Sequence, residues 1–563
     1  MSLWNELTKP SLAIFYGKQA VNTYQTLRGN IRGLDRELQK TYLQTVEVRY
    51  RQLADLLLSQ GRLPEAEQVL ALLKEEEYSG LLRRRSDPPS DIGYSSAEAA
   101  AVSVISQLAD LGRERGELAA LSDKKALDET GRQRLNKIER ELLPQANAEF
   151  NRALDAVGRE APDTAVKTAE VKDAQALSSK LRKLGPGTVA LYTIVSTDKG
   201  RSARGWVMLI TPDFRRAYEV DVSELDETVL AFRAALRSPK SDPRPHAHKL
   251  YRALFRTPQP KGAPTLAADL EKYLRDQKER TLMWSLDGVL RYVPVAALSP
   301  DGEHYLVESY RNVVFTPASI PTLANPVSRD WRALGLGVSK EHKPFVALPG
   351  VPRELSAIVR KDGEQGAGGV LPGAVKLDEA FSAGAMMDGL REGYPVIHIA
   401  SHFRYDPADP NRSFLLLGDG AHLEMSTFND AANVFEKTEL LTLSACETAM
   451  GSNKEANGKD AEGLGYVAQK LGAQSVIATL WPVDDIGTQI LMPMFYRLRE
   501  ASPGLAKAEA LRQAQLALLT GALKPTTSDT ESRGLLTGLN GNVKASYAHP
   551  YYWAPFILIG NWK

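Results

Sequence analysis

Hydrophobic residues in the first third of the chain recur at intervals of three and four, the spacing of one face of an α-helix. Such a face runs from Tyr42 to Leu57, and a second one extends from Pro64 to Leu73. Gly61 interrupts the pattern, and Pro64 suits a first helical turn because its missing N–H is not needed there. The pattern therefore predicts two helices joined by a short turn.

Two more helical stretches follow, at residues 97–112 and 124–157, and their spacing predicts an antiparallel hairpin. We expect residues 1–165 to form an all-α region. Its first helix–turn–helix resembles one tetratricopeptide repeat. Stacked helical repeats bind proteins on a concave face, and they can also serve as a packed brace. The sequence leaves both roles open.

From about residue 185 the hydrophobic pattern changes to short apolar runs that alternate with amphipathic stretches. Such alternation predicts a largely parallel sheet with helices on both faces. We expect an α/β fold over residues 166–563, divided into halves at 166–330 and 331–563. The predicted strands before the second half include a hairpin, and they cover residues 188–193, 205–210, 281–285 and 313–316.

Two predicted strands in the second half end in residues that carry chemistry. The apolar run Val396–Ala400 leads to His402, and the run that starts at Leu440 leads to Cys446. Reactive groups in open α/β sheets gather beyond the carboxyl ends of the strands. If these two strands are neighbours, His402 and Cys446 lie side by side. A cysteine thiolate paired with an imidazole is a nucleophile with its own acid and base.

Composition excludes several classes of protein. The 563 residues include 43% hydrophobic and 25% charged residues, and the formal net charge is +1. This balance gives no electrostatic reason to expect binding to nucleic acid or to a membrane. The single cysteine excludes an internal disulfide and suits a reducing compartment. With no signal peptide or membrane span in the sequence, we expect a cytoplasmic location.

Four ordered segments resemble the signature blocks of CHAT domains. They are I-H-I-A-S-H-F at 397–403, L-S-A-C-E-T-A at 443–449, A-T-L-W-P-V-D-D at 478–485 and H-P-Y-Y-W-A-P-F-I-L-I-G at 549–560. An upstream block, residues 284–298, resembles the family's non-catalytic half. The resemblance implies a caspase-like fold of two pseudo-symmetric halves. CHAT proteins are caspase-like peptidases, and in many of them the CHAT domain follows tetratricopeptide repeats along the chain.

By motif position, the resemblance puts the family's catalytic dyad on His402 and Cys446. It also implies an oxyanion hole made by the backbone N–H groups of Phe403 and Cys446. Many relatives have glycine where this chain has Phe403. That difference affects the shape of the pocket more than the ability of the N–H to donate.

Other polar residues have structural as well as functional interpretations. Asp484 and Asp485 suit the N-terminus of a helix, and either one could instead select a basic substrate side chain. Trp481 could form a wall of the same pocket or pack in the core. We expect Glu447 to lie at a helix N-terminus, where the helix dipole stabilises its carboxylate. We expect His398 to be a structural hydrogen-bonding residue.

We therefore expect a cysteine endopeptidase that needs no cofactor and no metal. The resemblance implies a regulatory protein partner, with the N-terminal helical region as its docking surface. Relatives act in bacterial signalling, defence or regulated death, and some associate with an RNA-guided CRISPR effector. A catalytically silent caspase-like scaffold is the alternative. A nucleotide-binding domain is disfavoured because no phosphate loop is present.

Overall fold

A computed structural model of the chain describes most of its residues: 9–31, 36–78, 91–162, 174–196, 203–328, 330–361, 368–404, 412–429, 434–444, 446–447, 459–481, 485–522 and 547–563. The chain divides into two compact units. The smaller comprises residues 1–73 and 88–175, and the larger comprises residues 74–87 and 176–563. Asp484, for which the sequence analysis gives two interpretations, lies outside the described residues.

The smaller unit is helical, as the hydrophobic spacing predicts. Its helices are α1 Pro10–Ile31, α2 Arg36–Ser59, α3 Leu63–Tyr78, α4 Ser96–Asp123, α5 Glu129–Lys137 and α6 Leu143–Arg159. The boundary between the two units falls within α3, so its last residues belong to the larger unit. Gly61 joins α2 to α3 with a φ of +70°, a left-handed conformation that glycine adopts without steric cost.

The predicted hairpin is present with different bounds. Helix α4 continues eleven residues beyond 112, to Asp123, and the second stretch is not one helix. Asp128 caps α5 by accepting a hydrogen bond from the Gly131 N–H at 2.7 Å, so residues before it lie outside the helix. A π-helical turn at Ile138–Leu142 separates α5 from α6.

A fully buried group of four charged side chains holds the smaller unit together. Lys18 of α1 forms ion pairs with Glu65 of α3 and with Glu98 of α4, the second at 2.6 Å. Arg62 pairs with the same two carboxylates. Two cations matched by two anions leave no unpaired charge within the group, which is the condition under which buried ion pairs persist.

The larger unit contains a twelve-stranded sheet with the order β3-β2-β1-β4-β5-β16-β15-β13-β9-β6-β8-β7. Its strands are β1 Thr188–Ser196, β2 Arg204–Ile210, β3 Arg215–Val220, β4 Thr281–Ser285, β5 Arg311–Val314, β6 Ala333–Gly337, β7 Val359–Lys361, β8 Leu371–Leu377, β9 Val396–Ala400, β13 Leu440–Leu443, β15 Ser475–Thr479 and β16 Phe556–Gly560. Neighbouring strands are parallel except for β1–β2, β2–β3 and β15–β16. The prediction of a mostly parallel α/β sheet is confirmed.

Helices accompany the strands along the chain. They are α7 Ala174–Leu184, α8 Leu225–Leu236, α9 Arg244–Phe255, α10 Leu266–Leu274, α11 Leu306–Ser309, α12 Val351–Ile358, α13 Ala383–Glu392, α14 Lys459–Lys470, α15 Asp485–Ala501 and α16 Lys507–Leu519. Helix α12 packs against β6, where a Cβ on Gly337 would lie 2.5 Å from Val351 and 2.7 Å from Leu355. The absence of a side chain at Gly337 therefore lets this helix approach the sheet closely.

A second, four-stranded sheet has no counterpart in the sequence prediction. It has the order β12-β11-β10-β14 and consists of β10 Phe403–Arg404, β11 Phe414–Leu416, β12 His422–Glu424 and β14 Cys446–Glu447. Strands of two or three residues are too short to give a recognisable hydrophobic alternation.

Among the residues described here, every helix is too short or too polar to cross a membrane.

Candidate active site

The strands that lead to His402 and Cys446 are neighbours in the large sheet. Strands β9 and β13 are parallel, with Thr442 opposite His398 and Leu443 opposite Ile399. The Ser444 N–H donates to the Ile399 carbonyl at 2.8 Å and extends this pairing beyond β13. Parallel neighbours have their carboxyl ends at the same edge, so the segments after both strands leave the sheet together.

These segments pair again just beyond the large sheet. Strands β10 and β14 are parallel, with Phe403 opposite Cys446 and Arg404 opposite Glu447. The main chain of Cys446 therefore lies beside Phe403, the residue that follows His402. The prediction that Glu447 lies at a helix N-terminus is wrong, because this residue is in a strand that pairs with β10.

Hydrogen bonds with β11 hold the main chain at His402. The Ser401 hydroxyl donates to the Leu416 carbonyl at 2.6 Å, and the Leu416 N–H donates to the His402 carbonyl at 2.9 Å. Just beyond β11, a Cβ on Gly418 would lie 1.7 Å from the Asp378 carbonyl oxygen. Only glycine fits this close approach of two backbone segments.

The loop between β6 and α12 orients the His402 ring. His402 is 3% exposed, and its Nε2 lies 2.8 Å from the Val346 carbonyl oxygen. The Phe345 ring packs against it with a centroid distance of 5.2 Å. A carbonyl oxygen only accepts hydrogen bonds, so Nε2 carries a hydrogen. In the neutral ring, Nδ1 then has the lone pair and is the basic nitrogen.

Asp378 holds the start of this loop. Its carboxylate accepts hydrogen bonds from the Ser339 N–H at 2.6 Å and from the Ser339 hydroxyl at 2.8 Å. The Asp378 backbone has a φ of +49°, a left-handed conformation that aspartate tolerates better than most residues. The loop that contacts His402 is thus anchored at its first residues.

His398 is a buried hydrogen-bonding residue, as the sequence predicts. Its Nε2 lies 2.8 Å from Glu354 Oε1, and its Nδ1 lies 3.1 Å from the Tyr496 hydroxyl. Burial raises the pKa of the Tyr496 hydroxyl above its ordinary value, so this group stays protonated at neutral pH.

The residues proposed for substrate selection are only partly described. Trp481 is 2% exposed, and its indole N–H donates to the Tyr551 carbonyl at 3.3 Å. Asp485 is the first residue of α15. The side chains of Asp485 and Cys446 lie outside the described part of the chain, so their roles stay predictions.

Two residues at this site were missed by sequence reasoning. Val346 acts through its backbone carbonyl, and no side-chain signal in the sequence could have identified it. Glu354 lies on α12. An acidic residue on the helix face that also carries Leu355 and Ile358 was the available signal, because buried carboxylates need partners.

Two crystal structures of the Saccharomyces cerevisiae separase–securin complex are similar at 10% identity, with TM-scores of 0.40 and 0.39. The alignments cover 88% and 98% of this chain but only 37% and 40% of the matched chain in each complex. Because both TM-scores are below 0.5, nothing about activity follows from this similarity. No curated protein sequence matches.

A family model described as the CHAT domain matches residues 244–561. The match includes both strands of the candidate site, the small sheet and the closing strand β16. It spans more than half of the chain, and the chain is therefore a member of the CHAT-domain family, which is related to the caspase-like proteases.

Proposed function

We propose that this protein is a cysteine endopeptidase that cleaves protein substrates with Cys446 as nucleophile and His402 as acid and base. The observation that carries the proposal is the register of β10 and β14, in which Phe403 lies opposite Cys446. This register places the main chain of Cys446 beside Phe403, the residue that directly follows His402. The hydrogen bond from His402 Nε2 to Val346 supports the assignment of Nδ1 as the base.

In the proposed reaction, the Cys446 thiol gives its proton to His402 Nδ1, and the thiolate attacks the scissile carbonyl carbon. The carbonyl π electrons move to oxygen, which becomes the oxyanion of a tetrahedral intermediate. The C–N bond then breaks as the imidazolium protonates the departing amine, and a thioester remains. Water attacks this thioester with His402 as base, which releases the carboxylic acid and restores the thiol.

Backbone N–H groups of Phe403 and Cys446 are the proposed donors to the oxyanion. Asp484 or Asp485 is proposed to select a basic side chain next to the cleaved bond, with Trp481 as a wall of the pocket. The helical residues 1–165 are the proposed docking region for a regulatory protein partner. We further propose that the enzyme is cytoplasmic and acts in a bacterial regulatory or defence pathway.

The test compares wild type with Cys446→Ala and His402→Ala in host lysate, with newly formed protein N-termini labelled and sequenced. We expect new N-termini with wild type alone, because each variant lacks one half of the dyad. Loss of either residue should reduce cleavage by about 10³-fold or more. The residues that precede the cleaved bonds will also show whether a basic side chain is selected.

The comparison is repeated with candidate partner proteins added, so that a latent enzyme is distinguished from an inactive scaffold. New N-termini that appear only with a partner, and only with wild type, would support partner-controlled cleavage. Identical profiles for wild type and both variants under every condition would contradict the proposal and favour a caspase-like scaffold that binds proteins.

A further inference from the structure

A closed network of buried polar side chains lies beneath the ends of β9 and β13. Glu354 of α12 is 4% exposed, and its Oε1 accepts hydrogen bonds from His398 Nε2 at 2.8 Å and from the Ser444 hydroxyl at 2.6 Å. His398 lies in β9, and Ser444 directly follows β13. One carboxylate oxygen therefore joins the two strands that lead to His402 and Cys446.

The network returns to β13 through two more side chains. The Tyr496 hydroxyl lies 3.1 Å from His398 Nδ1 and 2.8 Å from Thr442 Oγ1. His398 is fully buried, and Thr442 is likewise inaccessible to solvent. The hydrogen bonds thus start at Ser444, just after β13, and return to that strand at Thr442 by way of α12, β9 and α15. A closed set of this kind resists any sliding of one strand past the other.

Glu354 also couples this network to the loop that orients His402. Helix α12 begins at Val351, five residues after Val346, whose carbonyl accepts the hydrogen bond from His402. Val351 and Leu355 pack with Ala400, the last residue of β9, in one hydrophobic cluster. A shift of α12 would therefore move two groups together: the Val346 carbonyl, which binds the His402 ring, and the Glu354 carboxylate, which binds Ser444.

We infer that Glu354 is a positioning residue of the active site: through Ser444 and His398 it sets the spacing between the segments that carry Cys446 and His402. The inference rests on the proposed function, since it concerns the same dyad. Positioning and charge predict opposite effects. Removal of a nearby negative charge alone would favour the thiolate, whereas loss of the correct spacing from the imidazole would disfavour it.

The test measures the rate of iodoacetamide alkylation as a function of pH, by intact mass, on the full-length protein. The chain has one cysteine, so the rate reports only Cys446 and needs neither substrate nor partner. Glu354→Met removes the acceptor at similar size, and Glu354→Gln keeps an acceptor oxygen without the charge. Ser444→Ala removes one hydrogen bond and no buried volume of consequence. His402→Ala is the reference for loss of the dyad.

The matched control is Glu439→Met. Glu439 immediately precedes β13, is 7% exposed, and accepts hydrogen bonds from the Ser328 N–H at 2.6 Å and from Trp331 Nε1 at 3.0 Å. Like Glu354 it is a buried carboxylate, but it lies at the start of β13, whereas the Ser444 that Glu354 binds follows the end of this strand. Its loss should affect stability without a specific effect on Cys446. Circular dichroism checks that each variant is folded.

We expect Glu354→Met and Ser444→Ala to slow alkylation at pH 7 by about five- to tenfold and to move the midpoint of the profile to higher pH. Glu354→Gln should stay within about twofold of wild type, because the acceptor oxygen is kept. Glu439→Met should keep the wild-type midpoint. If Glu354→Met does not fold, Ser444→Ala and Glu354→Gln decide the outcome.

Four results would overturn the inference. Wild-type profiles for Ser444→Ala and Glu354→Met, with a changed profile for His402→Ala, would refute positioning while leaving the dyad intact. A shift of the midpoint to lower pH, or an equal shift in Glu439→Met, would also refute it. A His402→Ala profile equal to wild type would refute the dyad itself, and the positioning role with it.

Discussion

At the scale of single residues, the side chains that matter most here are polar groups in buried surroundings. His402 was proposed as a catalytic residue from the sequence because it follows an apolar strand within a recognisable block. Its partner Val346 was not, because a carbonyl belongs to every residue and its direction depends on the loop. Glu354 was missed for a related reason: the hydrogen bonds that explain its burial come from residues 44 and 90 positions away.

Lys507 is a buried lysine, and it gives a prediction about stability that does not depend on the proposed dyad. Its Nζ has no hydrogen-bond partner among the described residues, and burial lowers the pKa of its ammonium group to about 7. The Arg499 guanidinium lowers this pKa as well, whereas Glu439 opposes the shift. At neutral pH, a group that would be fully charged in the unfolded chain is therefore partly neutral in the fold.

We expect Lys507→Met to stabilise the protein at pH 6 by on the order of 3 kcal/mol. The folded-state pKa lies below the unfolded value of about 10.4, so the unfolded chain binds more protons between these two values. Wild-type stability should therefore rise with pH from about 7 upward, and the advantage of the variant should shrink.

The measurement is the free energy of urea unfolding of both proteins at pH 6, 7.5 and 9. Lys340→Met serves as a control: the Lys340 side chain is 56% exposed, and its hydrogen bond to Glu379 raises the pKa of its ammonium group, so it stays charged over this range. A difference between wild type and Lys507→Met that does not change with pH would contradict the assignment of a buried, proton-losing lysine.

At the scale of elements, the long apolar strands were predictable and the short ones were not. Strands β9, β13 and β15 are buried along their whole length, and a continuous apolar run is the signal of such a strand. The two residues of β14 give no such signal. Their pairing with β10 depends on where β9 and β13 end, which is a tertiary property.

Helix α14 is the first described element after β14, and buried charges hold it. Glu462 of α14 lies 3.2 Å from Arg291 Nε and 3.6 Å from Lys74 Nζ. Arg291 also pairs with Glu77, and with Asp287 at 3.7 Å. The five side chains are each at most 5% exposed, so two cations face three carboxylates in the core of the larger unit.

We expect Arg291→Met to lower the free energy of unfolding by about 3–5 kcal/mol, because three buried carboxylates would then face Lys74 alone. Amide hydrogen exchange within residues 459–470 should accelerate as the anchor of α14 is lost. Arg391→Met is the matched control, since its ion pair with Asp388 is 73% and 70% exposed. Exposed pairs contribute little, so this variant should unfold like wild type. Equal effects of the two substitutions would contradict the importance of the buried cluster.

At the scale of the whole molecule, the sequence predicted a helical region followed by a mostly parallel α/β sheet, and both are confirmed. The order of the strands in the sheet could not be predicted from the sequence. The sheet runs continuously from β3 to β7, with β16 from the end of the chain between β5 and β15. Nothing local to residues 556–560 specifies a position between strands that lie far apart along the chain, because that position depends on the packing of both halves.

The pairing of His402 with Cys446 decides whether this molecule is a peptidase, and it can be measured without a substrate. The measurement is the pH profile of Cys446 alkylation in wild type and in His402→Ala. With the dyad in place, wild type should already react at pH 6–7. The variant should react with the midpoint of an ordinary thiol, about 8.5. Two superimposable profiles, both with a midpoint near that of an ordinary thiol, would contradict the dyad and leave a caspase-like scaffold.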